Sequence, residues 1–143
     1  MHIDTSYKAY DLIRKHINQE VEEIWALALS SDLRLIAHDM IFRGTLNQCL
    51  FHPRDIFRFA CKKNAACFIL VHNHPSGDAR PSRADQIMTK RLFTLSVVLE
   101  IPMKDHVIVT KNQHYSFSDN GKLSLSKTLS EQLHLVTSEF GGQ

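Results

Sequence analysis

The sequence predicts an α/β fold, a three-layer sandwich with a mixed central sheet and helices on both faces. Three observations carry that expectation. Short apolar runs alternate with segments of helical spacing along the 143 residues. Some consecutive runs are joined too tightly for a crossover and read as hairpins, which makes the sheet mixed rather than all-parallel. The chain is 43% hydrophobic and 22% charged, ordinary globular values that allow one domain with a real core.

Tyr10, Ile13 and Ile17 set a helical stripe that predicts a first helix over 6–19. "EIWALAL" (23–29) is continuously apolar, and "RLIAHDMIF" (34–42) follows after the turn-like "SSD". The pair reads as a hairpin with at least one strand buried on both faces. Gly44 marks a bend, with a short strand expected near 46–51. In "HPRDIFRFACKKN" (52–64), Ile56, Phe57, Ala60 and Cys61 share one helical face, and Pro53 suits a first turn. "AACFILV" (65–71) is wholly apolar, as a central strand would be. Ala84, Met88, Leu92, Leu95 and Leu99 then repeat at helical spacing until Pro102 stops them. "DHVIVT" (105–110) and "HYSFS" (114–118) form a closing hairpin. Beyond Asn120 the chain turns Ser-rich and ends in a tail with room for a short helix around 127–138.

A net charge of +2 is too slight to announce nucleic acid by itself. No apolar run approaches the ~20 residues that span a bilayer. The charged N-terminus "MHIDTSYKAYDLIRKH" has no signal-peptide core. Cys49, Cys61 and Cys67 are odd in number and contain no CxxC pair. They are expected as buried thiols in a reducing cytoplasm.

Residues 72–85, "HNHPSGDARPSRAD", concentrate the chemistry. If the strand of 65–71 runs two residues further, His72 and His74 project from one face of its C-terminal end. That is where ligands bind in open α/β sheets. Pro75 breaks the strand, Ser76-Gly77 turns the chain, and Asp85 returns from the first turn of the next helix. Two imidazoles and a carboxylate leave one tetrahedral position open, the layout of a catalytic zinc. Ser82-Arg83-Ala84-Asp85 also reads as a capping box, which accounts for Ser82 and Asp85 but not for two imidazoles on a strand tip. Hydrolysis at such a site needs a further carboxylate that is not a ligand, to take and return a proton. Glu20, Glu22 and Glu23 compete for that role. Glu23 is selected, on the strand face of Trp25 and Leu27, with Glu22 pointing the other way. Asn73 faces away from the ligands and is expected to support the turn.

The spacing His-x-His, seven residues, Ser, two residues, Asp resembles the JAMM motif of MPN-domain metalloproteases, among them deubiquitinating enzymes and proteases of small protein tags. More narrowly, "FRGT" (42–45), "HPRDIF" (52–57), residues 64–85 and "DHVIV" (105–109) resemble the bacterial RadC family. The resemblance implies a cytidine-deaminase-like JAB/MPN sandwich over 20–121, preceded by a helical segment, 1–19, and followed by a tail, 122–143. It implies Zn2+ held by His72, His74 and Asp85, with Glu23 in "EEIW" matching the family's upstream glutamate. Ser82 is similar to the serine that holds the attacking water or the oxyanion. His52, Arg54, Asp105 and His106 match family positions, where hydrogen bonding to a ligand or placement at the core edge are both open.

The implied activity is zinc-dependent hydrolysis of a peptide or isopeptide bond in a protein substrate. The alternative is a non-catalytic role, either in DNA repair and recombination or as a metal-dependent binding domain. The chain shows no helix-hairpin-helix region of the kind longer RadC members carry, so a short stand-alone form with little DNA affinity is expected. A zinc nucleobase deaminase would need H-x-E and P-C-x-x-C, and neither is present. H-E-x-x-H is absent as well, and an HNH nuclease motif is dispersed rather than contiguous.

Overall fold

The computed structural model describes residues 1–44 and 51–141, with side chains described up to residue 134. Its elements in chain order are α1 (Ser6–Ile13), β1 (Glu23–Leu29), β2 (Leu35–Arg43), α2 (Pro53–Lys62), β3 (Cys67–Asn73), α3 (Arg83–Val98), β4 (Met103–Val109), β5 (His114–Ser116) and α4 (Lys127–Gly141). The five strands form one sheet in the order β2-β1-β3-β4-β5. β1 runs antiparallel to both neighbours, and β3 and β4 are parallel, joined by a crossover through α3. The expected α/β architecture with a mixed sheet is therefore present.

The apolar runs explain the layering. Alternate residues of β1 feed different cores. Leu27 and Leu29 join Ile69, Val71, Val107 and Val109 beneath α1, whose Ala9, Tyr10 and Ile13 are buried there. Ile24, Ala26 and Ala28 join Phe68 and Leu70 on the opposite face, under Ile56, Phe57 and Phe59 of α2 and Leu92 of α3. Ile3, Ala9, Tyr10 and Ile13 of the N-terminal segment 1–19 pack into the first of these cores.

α1 is shorter than the predicted 6–19. Thr5 caps it by accepting from the Lys8 amide, and Arg14 closes it. Asn18 cannot stay helical because its N–H donates to Glu23 Oε1 at 3.1 Å and its carbonyl accepts from Asn73 Nδ2 at 3.2 Å. Gly44 does bend the chain, with φ of +130°. Of the strand expected near 46–51, residues 46–50 lie outside the described residues, and Phe51 is in no strand. Ser82 caps α3, and Glu100 at φ of +57° turns the chain out of it before Pro102. The expectation of buried thiols holds for Cys67 but not for Cys61, which is exposed one position past the buried Ala60 on α2, and Cys49 lies outside the described residues. No described helix is long and apolar enough to cross a membrane.

Candidate metal centre

Parallel β3 and β4 point their C-terminal ends at one edge of the sheet, and antiparallel β1 begins at that edge. The residues that end β3 and precede β1 therefore meet. β3 reaches Asn73, with His74 tied to β4 by its amide on the Val109 carbonyl at 3.0 Å. His72 and His74 share the α3 face by alternation. Asp85 enters from the first turn of α3, held by the capping box: Asp85 N–H donates to Ser82 Oγ at 3.1 Å, and Ser82 N–H donates to Asp85 Oδ2 at 2.8 Å. His72, His74 and Asp85 each offer one donor atom, and these atoms lie within 4.8 Å of one another, so the three form a group able to hold a metal ion.

Its hydrogen bonding fits a cation. His74 Nδ1 must donate to the Asp78 carbonyl at 2.8 Å, because a carbonyl only accepts. In the neutral ring, Nε2 then turns a lone pair toward Asp85 Oδ2, 2.9 Å away. His72 Nδ1 is 3.3 Å from Asp85 Oδ1 but not aligned for a bond. Both nitrogens of His72 and Asp85 Oδ1 are buried without a hydrogen-bond partner. Native interiors rarely leave three such atoms together unless something unprotonated binds them. A divalent cation satisfies Asp85 Oδ1 and the lone-pair nitrogen of His72 together, while the other His72 nitrogen keeps its proton.

The electrostatics agree. Burial pushes the His72 imidazole down to about 4, against the pull of the Asp85 charge, so at neutral pH it is an open lone-pair donor. Burial alone would raise Asp85, yet the His74 hydrogen bond, the His72 charge and the Ser82 bonds hold it below the usual carboxylate range. His74 is drawn down by burial, but its bonds to Asp85 and Asp78 and the charges of Asp85 and Glu22 outweigh this and raise it. A proton or a metal therefore sits favourably between His74 and Asp85.

Glu23 requires a correction. It precedes Ile24, the register partner of His72, and so faces the α1 side, and its carboxylate is 1% exposed and fully engaged. Oε2 accepts from Arg43 Nε and a terminal guanidinium nitrogen at 2.9 and 2.7 Å, and Oε1 accepts from Trp25 Nε1 and Asn18 N–H at 3.1 Å each. The acid on the α3 face is Glu22, which shares the parity of Ile24, and Ile24 pairs with His72. Glu22 Oε1 is 4.0 Å from His72 Nε2. It also lines the cavity that contains His74, Ser82 and Asp85. The opposite facing of neighbouring acids was legible; which face would carry the ligands depended on pairing across 50 residues. Ser82 lines the same cavity while serving as the α3 cap.

The Asn73 side chain, expected to support the turn that follows it, bonds instead to the chain ahead of β1. Its Oδ1 accepts from Glu23 N–H at 2.7 Å, and Nδ2 donates to the Val21 and Asn18 carbonyls at 2.8 and 3.2 Å. It fastens the segment that delivers Glu22. His106 stands behind the ligands, its ring 6.1 Å from that of His72 and stacked on Phe117 at 4.7 Å. Thr89 links it to the helix: the hydroxyl donates to the Asp85 carbonyl at 2.7 Å and lies 2.5 Å from His106 Nδ1. Asp105 instead ties β4 to the end of β5 and the chain leaving it, accepting from Ser116 Oγ and the Ser118 and His106 amides. His52 caps α2 by accepting from Arg54 N–H at 3.1 Å, away from the ligands.

The RadC-like JAB domain model matches residues 3–122. Among curated proteins, the chain is 38% identical over 121 residues to a UPF0758 protein of Thermotoga maritima, covering 85% of this chain and 54% of that protein. It is 44% identical over 104 residues to UPF0758 protein YkfG of Escherichia coli K12, covering 73% and 66%. With UPF0758 protein YeeS of the same organism it shares 41% over 112 residues, covering 78% and 76%. The chain thus spans about half the length of several relatives, 54% in the Thermotoga protein. The reach of the model over the sheet, both helical layers and all three metal-site residues leads to one conclusion: the chain belongs to the RadC-like JAB domain family.

Proposed function

We propose that this domain is a zinc-dependent hydrolase of peptide or isopeptide bonds. The observation that carries the reading is the convergence of His72, His74 and Asp85, with unsatisfied buried donor atoms, beside an open polar cavity that also receives Glu22. Two imidazoles and one carboxylate suit zinc, which when bound supplies a Lewis acid that acidifies water and polarises a carbonyl.

The protein's own groups would do the rest. Asp78 holds His74 in the tautomer that presents Nε2, and the capping box aims Asp85. Glu22 takes a proton from the attacking water and returns it to the departing amine. The Ser82 hydroxyl, at the cavity wall, supplies a hydrogen bond to the oxyanion as charge develops there. The cavity walls are largely loop and helix start, with Pro75 and Ala84 the apolar elements. Such a surface suits an extended peptide held through its backbone better than a large apolar side chain.

The test pairs metal analysis with cleavage of a peptide library. Glu22→Gln should keep stoichiometric zinc and lose at least about 100-fold in turnover, the usual scale for removing a general base. Glu23→Gln should keep measurable turnover and lose stability instead. Wild-type activity that survives in Glu22→Gln, or purified protein without bound metal, would overturn the reading.

A further inference from the structure

A second cavity, of about 310 Å³, opens between α3 and the chain leaving β5. It shares no lining residue with the cavity at the metal centre. Three aromatic rings wall it: Phe93 from α3, and Tyr115 and Phe117 from the β5 end. The walls are already built. Phe117 is 2% exposed, lies parallel to His106 within 4°, and meets Tyr115 edge-to-face at 5.3 Å. Packing of this kind leaves the cavity no need to collapse or rearrange before a flat ring enters.

The polar groups at its mouth have one sign. Lys90 from α3 and Lys122 from the turn after β5 both line it, and no carboxylate does. Neither ammonium has an ion-pair partner among the described residues. Lys122 is not there by drift: its N–H donates to the Phe117 carbonyl at 2.8 Å, and Gly121 at φ of +66° makes the turn that sets it. Gln86, one helical turn before Lys90, adds a side-chain amide that can donate and accept. Two cations facing aromatic walls, with no acid near, match a ligand that is aromatic at one end and anionic at the other.

We propose that this cavity is a binding site for a nucleoside monophosphate. The base lies against Tyr115 and Phe93, the Gln86 amide reads its edge, and Lys90 and Lys122 take the phosphate. The site is independent of the metal reading, since its residues and its test are separate from the ligands.

The test is titration calorimetry of the full chain with AMP, GMP, CMP and UMP, in metal-loaded and chelator-treated protein. At least one nucleotide should bind equally in both preparations, and its parent nucleoside about fivefold more weakly, the scale of two exposed charge contacts. The double variant Lys90→Ala/Lys122→Ala should erase that difference and leave nucleoside binding and metal content unchanged. Tyr115→Ala should weaken nucleotide and nucleoside together. Four results would each overturn the proposal: no binding of any of the four nucleotides, binding unaffected by the double variant, binding lost on chelation, or O-phosphotyrosine preferred to every nucleotide.

Discussion

Asn73 sits between two metal-site imidazoles in sequence and on the opposite side of the sheet in space. Its three bonds, to Glu23 N–H and to the carbonyls of Asn18 and Val21, are the reason the chain ahead of β1 has one path. Asn73→Ala leaves those buried groups unpaired and should cost about 3 kcal/mol in urea denaturation, with metal binding retained. Individual imidazoles also set a pH signature for the metal-free protein. His72 and His106 are held at about 4 and about 3 by burial, below their ordinary 6.5. The unfolded chain therefore binds more protons between those limits, and stability falls as pH drops from 6.5 toward 4. His74 is raised, so its contribution is complete below 6.5 and is lost as pH climbs through its folded value. The raised Asp105 runs against the acid limb, which the lowered His38 and Asp85 reinforce. Urea midpoints of chelated protein should peak near pH 6.5, and His106→Asn should flatten the acid side.

Within the elements, α3 does two jobs with one turn. Ser82 and Asp85 satisfy the amides that begin the helix, and the same carboxylate faces both imidazoles. Ser82→Ala should cost about 1 kcal/mol through the lost cap, and Ser82→Gly only a few tenths. Thermal melts of the two variants, compared with their turnover, separate capping from the proposed contact with the oxyanion. Much of this element was readable, because cap, carboxylate and apolar spacing all lie in one local stretch of sequence. The ligand trio was readable for the same reason: all three fall within fourteen residues, and strand alternation and a helix start are local rules. Glu22 was not. Glu22 and Glu23 differ by one step of β1, and choosing between them requires knowing that Ile24 pairs with His72. Trp25 and Leu27 mark a buried face, but each side of this sheet has one. The early end of α1 escaped for a related cause, since Asn18 is claimed by the side chain of Glu23 and by Asn73, 55 residues away in sequence.

For the molecule as a whole, the unsatisfied atoms at the sheet edge tie folding to metal. A cation that binds only the folded chain adds stability by mass action, about 3 kcal/mol at a hundredfold excess over its dissociation constant. For a chain of this size that is roughly 8 °C in melting temperature. Zinc should raise the midpoint of chelated protein by that order, and His74→Ala should abolish the rise. An unchanged midpoint would mean that the donor atoms are not drawn together by a cation. The balance of the molecule is otherwise conventional, with a core on each face of one sheet.

Side-chain alternation in β1 also governs where this fold can change length. One residue inserted between Glu22 and Glu23 would turn the Glu22 carboxylate to the Trp25 side and leave the cavity without its acid. One residue added to the exposed turn at Ser31 and Asp32 disturbs neither layer, because both strands keep their pairing. Insertions among functional homologues should therefore collect in that turn and be absent between Glu22 and Glu23.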